Sequence, residues 1–248
     1  MKQESPSFKA GRFQVSYDMQ PVIFTDNQTA ELSKMSANAF LANKISFMNE
    51  QMLLAQHSNA DIDDMVKILQ MDERIGKYIN PGIGYGGYCL PKDVVALKSY
   101  AVEKNIRVGM LDNIHTTNIQ HMKSIVNKIE NYILESNQDY KVAVHGIAFK
   151  NNTNDSRESP AIYIAEKLKE RDINIVLVDE KLTLEEYHGS IKKVKKDIDS
   201  QVVIIANKQG YKLFNLHDKL KLVIDPLRLF NKEQKNQLQK KGVIYTII

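Results

Sequence analysis

The sequence contains very little cysteine: Cys89 is the only one among 248 residues. A single cysteine excludes a disulfide within the chain and a zinc site built from several cysteines. No apolar run approaches the ~20 residues that a membrane-spanning helix needs. The first residues carry charge but lack the apolar segment of a secretory signal. The six histidines show no HExxH or similar ligand spacing, so no metal is predicted. These absences favour a cytoplasmic protein with no membrane partner.

The chain also has little excess charge. Its net charge of +4, from 34 basic and 30 acidic residues, gives no reason to expect nucleic acid as a partner. The basic run KKVKKD at 192–197 is therefore predicted to be a solvated surface. Apolar residues make up 43% and charged residues 26%, which is the composition of a globular protein of one or two domains.

The first half of the chain is predicted to be helical. No glycine or proline interrupts the sequence from Gln28 to Gln56, and Asp26 or Asn27 is a suitable N-cap for a long helix there. The apolar residues of this segment cover more than one face, which indicates a buried helix. Further helices are predicted over residues 61–71, 91–104 and 111–134, and one short strand over 22–24.

The second half changes to an alternation of strands and helices. Five mostly apolar strands are predicted, and the helix after the first of them has Ser159 as its cap and Pro160 at its first position. The strands cover residues 141–149, 173–179, 201–207, 220–225 and 243–248. The pattern predicts an α/β protein: a helical region, 28–135, followed by a small doubly wound parallel-sheet domain, 139–248.

Cys89 lies in the glycine-rich segment INPGIGYGGYCLPKD at 79–93. Glycines allow a backbone to approach a ligand closely, and Pro91 suits the first turn of the following helix. A cysteine at a helix start is near unpaired N–H groups that favour a thiolate, and Lys92 adds positive charge. The alternative is a small buried apolar side chain, as many single cysteines are. Residue type and position leave both open.

Two further sets of polar residues are candidates for a site. Lys34 and Asn38 are four residues apart and share a helix face, either as functional groups or as ordinary surface residues. Lys150 and Arg157 flank the polar loop after the first predicted strand, where ligands of α/β sheets bind. That loop is either a nucleotide or diphosphate site or a solvated connection. The domain has no GxGxxG fingerprint of dinucleotide binding.

Three segments together are similar to one family, the NAD-dependent nucleotide-sugar 6-dehydrogenases, and most to its UDP-glucose branch. They are ELSKMSANAFLANKISFMNE (31–50), GYGGYCLPKD (84–93) and GIAFKNNTNDSRESPA (146–161), in the family's order. The resemblance implies a central helical domain that forms a homodimer and a UDP-binding domain. It also implies oxidation of UDP-glucose by two NAD⁺ to UDP-glucuronate, through a cysteine thioester, for polysaccharide synthesis.

The resemblance assigns roles residue by residue. Cys89 corresponds to the nucleophile, and Asp93 to the carboxylate that helps to activate water. Lys34 and Asn38 correspond to the pair that stabilises negative charge on the C6 oxygen. Arg74 corresponds to a substrate contact offered across the dimer interface, and Tyr78 to another, at a spacing one residue shorter than in the family. The remaining substrate contacts are Gly86, Phe149 and Lys150, and the NAD contacts are Lys92, Arg157 and Arg228.

The sequence also departs from the family. Family members begin with an NAD-binding domain that carries GxGxxG, and residues 1–27 here resemble only the end of that domain. Two glutamates of the family pattern are absent from the stretch Pro6–Gly11. Two interpretations follow: a shortened dehydrogenase that takes its NAD domain from a separate polypeptide, or an inactive UDP-sugar-binding remnant.

Overall fold

The computed structural model describes residues 14–17, 20–149, 153, 155–180 and 191–247. A two-stranded antiparallel hairpin, β1 (Gln14–Tyr17) and β2 (Gln20–Ile23), precedes four helices. These helices are α1 (Asn27–Ser58), α2 (Ile62–Gln70), α3 (Cys89–Glu103) and α4 (Gly109–Ser136). The predicted helical first half is confirmed. The prediction included only one short strand before α1, because the pairing of β1 with β2 is not visible in a single short apolar run.

The long helix α1 begins and ends at recognisable caps. The carboxylate of Asp26 accepts a hydrogen bond from the Thr29 N–H (2.7 Å), which confirms Asp26 as the N-cap. Asn59 closes the helix in the left-handed conformation, which asparagine tolerates. Between these caps α1 packs on α3 and α4, with Met48 and Met52 fully buried in the main core.

The second half forms a six-stranded parallel sheet in the order β5-β4-β3-β6-β7-β8. Its strands are β3 (Lys141–His145), β4 (Asn174–Val178), β5 (Lys192–Val194), β6 (Val202–Ile205), β7 (Leu222–Ile224) and β8 (Ile244–Thr246). Helices α5 (Pro160–Lys169), α6 (Lys208–Leu213) and α7 (Lys232–Lys240) accompany the sheet. The predicted fold class, a helical region followed by a doubly wound parallel sheet, is confirmed.

Successive side chains of β3 serve opposite faces of the sheet. Val142 and Val144 belong to the core that α4 and α5 cover, whereas Ala143 belongs to the core that includes Phe230 and Leu238. The chain leaves β3 for β4 on one side and later returns to β6 on the other side. The loops after β3 and β6 therefore diverge, which opens a crevice at the carboxyl ends of these strands.

Three local features differ from the sequence-based expectations. Residues 192–194, predicted to be solvated surface, form the edge strand β5, because their backbone pairs with β4 while Lys192 faces solvent. Ser159 stands at the N-cap of α5, but its hydroxyl donates to the Ile147 carbonyl oxygen (2.5 Å) and so fastens the loop before the helix. Helix α7, which no pattern predicted, starts at a capping box of Asn231 and Gln234.

Within the described ranges, every helix is either too short or too polar to cross a membrane. The same ranges contain no cluster of three or more His, Cys, Asp or Glu side chains suited to a metal ion.

Candidate functional site

Helices α1 and α3 cross so that three donors meet one buried carboxylate, that of Asp93. Lys34 Nζ lies 2.8 Å and Asn38 Nδ2 lies 2.6 Å from Asp93 Oδ2, and Lys92 Nζ donates to Oδ1. The Asp93 side chain is 1% exposed, whereas Lys34 extends into solvent. The structure thus brings together Lys34, Asn38, Lys92 and Asp93, although their catalytic roles stay predictions.

The donors around Asp93 determine its charge. Burial by itself would raise the pKa of Asp93, but the hydrogen bonds from Lys34, Lys92 and Asn38 outweigh it and lower the pKa from 3.8 to about 2. Asp93 is therefore an anion at neutral pH and a weak proton acceptor. It holds the ammonium of Lys34 and the amide of Asn38 in fixed orientations.

Replacing Asp93 with asparagine is expected to lower the free energy of unfolding by about 2 kcal/mol at neutral pH. The folded-state pKa lies below the unfolded value, so the anion stabilises the fold fully above about pH 5 and loses its effect as the pH falls towards about 2. Urea unfolding of both proteins at neutral pH and near pH 3 should show this loss shrinking in acid. As a control, Asp64→Asn, at the exposed pair with Lys67, should change stability by less than about 0.5 kcal/mol. A loss that is equal at both pH values would contradict the ion cluster.

Cys89 is exposed at the first position of α3. Cys89 and Asp93 are four residues apart on this helix, so the thiol lies one turn from the carboxylate and on the same face. Lys92 follows within that turn, and Arg157 reaches the loop from the α/β half, with its guanidinium 4.7 Å from the centroid of the Tyr88 ring. The alternative of a buried apolar cysteine is wrong, because the residue is exposed.

Buried polar side chains hold the loop that leads to Cys89. The Gly82 N–H donates to Asn49 Oδ1 (2.8 Å), and His121 Nε2 donates to the Gly82 carbonyl oxygen (2.7 Å). Asn118 bonds both the N–H and the carbonyl oxygen of Tyr85, at 2.9 and 3.0 Å. Burial lowers the pKa of His121. Asn49, Asn118 and His121 were not predicted as site residues. Their sequence signal is a polar residue on an otherwise apolar helix face.

The two glycines before Tyr88 allow the loop that leads to Cys89 (residues 79–88, the cysteine loop) to pack directly on the loop before α5. A Cβ on Gly86 would lie 2.0 Å from the Glu158 carbonyl oxygen, and one on Gly87 would lie 2.4 Å from the Phe149 ring. Gly86 is thus buried between the helical and α/β halves. The contact of Gly86 with substrate stays a prediction. The close packing is a separate reason why this position requires glycine.

The crevice at the carboxyl ends of β3 and β6 is an open cleft of about 660 Å³. Its walls come from the loops after β3, β6 and β7 and from the loop before Cys89. They include Tyr78, Phe149, Asn207, Lys208 and Arg228. The Phe149 ring lines the cleft and also contacts Gly87, so the wall of the cleft directly adjoins the cysteine loop.

Arg228 belongs to this cleft. Its Nε lies 2.6 Å from Asp63 Oδ1 of α2, and its Nη1 lies 3.2 Å from the Pro81 carbonyl oxygen, with only 6% of the side chain exposed. It therefore lies with Tyr78 and Phe149, while Lys92 and Arg157, the other residues predicted to contact NAD, lie at Cys89.

Arg74, a predicted substrate contact, is not among the residues that line the cleft. Arg74 is 90% exposed and pairs with Asp72 (2.5 Å), so a contact with substrate bound to its own chain has no support here. Its predicted contact across a dimer interface is untested. Lys150 lies outside the described residues.

Comparisons with known proteins agree with these features. The central-domain model of the UDP-glucose/GDP-mannose dehydrogenase family matches residues 28–120, and the UDP-binding-domain model of the same family matches residues 143–232. The UDP-glucose 6-dehydrogenase TuaD of Bacillus subtilis is 31% identical over 239 residues, which are 91% of this chain and 51% of TuaD. The UDP-glucose 6-dehydrogenase of Rickettsia felis is 33% identical over 195 residues, 74% of this chain and 43% of that protein.

A solved structure is similar to this chain in both fold and sequence. The UDP-glucose dehydrogenase of the hyperthermophilic archaeon Pyrobaculum islandicum superposes with a TM-score of 0.70 at 29% identity, covering 87% of this chain and 50% of that one. The chain spans about half or less of the length of the curated relatives it matches.

Proposed function

The chain belongs to the UDP-glucose/GDP-mannose dehydrogenase family, and from that premise we propose that it binds UDP-glucose and supplies the cysteine for its oxidation to UDP-glucuronate. The observation that carries this proposal is the junction of the cleft with the cysteine loop, through the contact of Phe149 with Gly87. In this function the chain acts as a homodimer with an NAD-binding domain, in a pathway to polysaccharide.

The cleft has the properties that a nucleoside diphosphate requires. It lies at the carboxyl ends of parallel strands where the strand order reverses, the usual ligand position in such sheets. Arg228 and Lys208 bring positive charge for the diphosphate. The rings of Tyr78 and Phe149 offer apolar surface for the base and the sugar.

Cys89 has the surroundings that a nucleophile needs. Addition of its thiolate to a C6 aldehyde forms the Sγ–C6 bond and leaves negative charge on the C6 oxygen. Asp93 lies one helical turn beyond Cys89 on α3 and holds Lys34 and Asn38 of α1. Both side chains are suitable donors to that oxygen. Asp93 keeps both donors oriented because it remains anionic.

NAD⁺ would accept the hydride from C6, but the described residues form only part of a site for it. Lys92 and Arg157 are two cations at Cys89 that suit its phosphates. The turn after β3, His145–Phe149, lacks the GxGxxG backbone that holds a dinucleotide. We therefore assign the main NAD⁺ site to a domain outside the described residues.

The direct test is calorimetric titration of the purified chain with UDP-glucose, UDP and GDP-mannose. We expect binding of UDP-glucose and UDP and much weaker binding of GDP-mannose. NADH formation is then measured with UDP-glucose and NAD⁺, with and without a separately produced NAD-binding domain of the family. Failure of a folded chain to bind UDP-glucose would overturn the proposal.

The second candidate function is UDP-sugar binding without turnover. The described residues form only part of an NAD⁺ site, which favours this function for the chain alone, because hydride transfer needs the nicotinamide next to C6. Binding of UDP-glucose with no NADH, even after the NAD-binding domain is added, would select this alternative.

Replacing Arg228 with glutamine is expected to weaken UDP-glucose binding about tenfold, because the cleft loses a cation suited to the diphosphate. The matched control is Asp63→Asn, which breaks the same ion pair but keeps the guanidinium in the cleft. Calorimetry should show wild-type affinity, or tighter binding, for the control. Equal weakening by both changes would mean that Arg228 only joins the loops.

We propose that α1 forms the dimer interface, and the face that supports this is an exposed apolar stripe. Phe40, Phe47 and Leu54 recur at every seventh residue and are 63%, 51% and 60% exposed. Phe47→Asp is expected to convert the dimer into a monomer in light-scattering measurements, because it buries a charge in the stripe. Leu134→Asp, at an exposed position of α4, is the control that should stay dimeric. A monomeric wild-type chain would refute the proposal.

A further inference from the structure

Tyr88, the residue before Cys89, carries two cations on its ring. Lys92 Nζ lies 5.4 Å and the Arg157 guanidinium carbon lies 4.7 Å from the ring centroid. Both distances are within the range of cation–π attraction. Tyr88 is itself half exposed, so the contribution of its ring to a core is small.

Each cation is also held by a carboxylate. Lys92 donates to Asp93, and Arg157 binds both oxygens of Asp155, with Nε and Nη2 at 2.9 and 2.6 Å. Each cationic group is therefore constrained from two directions, by the carboxylate on one side and by the Tyr88 ring on the other. Lys92 belongs to α3 and Arg157 to the loop before α5, so the Tyr88 ring contacts one cation from each half of the chain.

Both cations are close enough to Cys89 to interact with its charge. The pKa of Lys92 is raised mainly by the hydrogen bond to Asp93, with further contributions from Cys89 and Tyr88. The pKa of Arg157 is raised mainly by the hydrogen bond to Asp155, again with contributions from Tyr88 and Cys89. A reactant that approaches the thiol therefore meets the cationic groups of two ion pairs.

We propose that Tyr88 is a positioning residue whose ring holds Lys92 and Arg157 at Cys89, so that anionic reactants are drawn to the thiol. This inference rests on the proposed function of Cys89 as the reacting group. The Tyr88 ring, which does not itself react, thus gives the thiol its selectivity for negatively charged molecules.

The single cysteine allows a direct test, because all thiol alkylation in the chain takes place at Cys89. Iodoacetate is anionic and iodoacetamide is neutral, and both react with the thiolate. The ratio of their rate constants therefore cancels the thiolate fraction and reports the local charge. Tyr88→Leu is expected to lower this ratio roughly threefold, the effect of moving one unit charge away in water. Tyr88→Phe keeps the ring and is expected to match the wild type.

Two further measurements separate a positioning role from a structural one. High salt should remove the difference between wild type and Tyr88→Leu, since the effect is electrostatic. In a Lys92→Gln/Arg157→Gln background, Tyr88→Leu should cause no further fall in the ratio. Circular dichroism checks that each variant is folded.

An unchanged ratio in folded Tyr88→Leu overturns the inference, as does an equal fall in Tyr88→Phe. If the leucine variant does not fold, the Lys92→Gln/Arg157→Gln protein decides: an unchanged ratio there also overturns the inference. None of these measurements requires UDP-glucose. A chain that shows the expected ratios but no sugar binding would overturn only the proposed function.

Discussion

Replacing Cys89 with alanine is expected to lower NADH formation by roughly 1,000-fold or more in any preparation that oxidises UDP-glucose. The change removes the sulfur that bonds to C6, and no other thiol in the chain can replace it. UDP-glucose affinity should stay within about twofold, because the cleft walls do not include Cys89. NADH absorbance and calorimetry on the same samples measure the two quantities.

The exposure of Cys89 makes this substitution selective. Alanine is a good helix residue, so α3 should still begin at this position. Retained turnover in Cys89→Ala would show that the sulfur is not the nucleophile. Loss of folding would instead make Cys89 a structural residue.

Replacing Gly86 with alanine is expected to lower the free energy of unfolding by about 3 kcal/mol. The new Cβ would meet the Glu158 carbonyl oxygen at 2.0 Å and Pro160 Cδ at 2.6 Å. Both obstacles belong to a backbone segment or a rigid ring, so the two loops must separate. UDP-glucose binding should weaken as well, because both loops line the cleft. Urea unfolding and calorimetry measure these effects.

Gly109→Ala is the matched control for Gly86→Ala. Nothing lies within 4 Å of a Cβ built at Gly109, the first residue of α4. Its stability should match or slightly exceed that of the wild type, by up to about 1 kcal/mol. If both alanine variants were equally stable, the close packing of the cysteine loop on the loop before α5 would be wrong.

Local signals predicted most of the secondary structure. The run without glycine or proline and the Asp26 cap were sufficient to predict α1. Apolar runs predicted five of the six parallel strands. Four of them, β3, β4, β6 and β7, are almost wholly buried and therefore need apolar side chains throughout. β5 was missed because its stability comes from backbone pairing with β4, and three residues with two lysines carry little strand signal.

Candidate residues were predictable where they share one local element. Lys34 and Asn38 share a face of α1, and Cys89 and Asp93 share a face of α3. That these two faces meet was not predictable from spacing, since 59 residues separate Lys34 from Asp93. The buried anchors Asn49 and Asn118 were missed for the same reason: each bonds a loop 33 residues away.

The sequence by itself therefore determined the elements, their order, the family resemblance and the residue types of the site, because caps, periodicity and motifs depend on neighbours along the chain. Only the tertiary structure decided that Asp93 receives its three donors, that Arg228 reaches Asp63 across the cleft, and that Arg157 meets the Tyr88 ring. Hydrogen bonds and ion pairs act over a few ångströms. Which distant side chains come within that range depends on how the helices and the sheet pack.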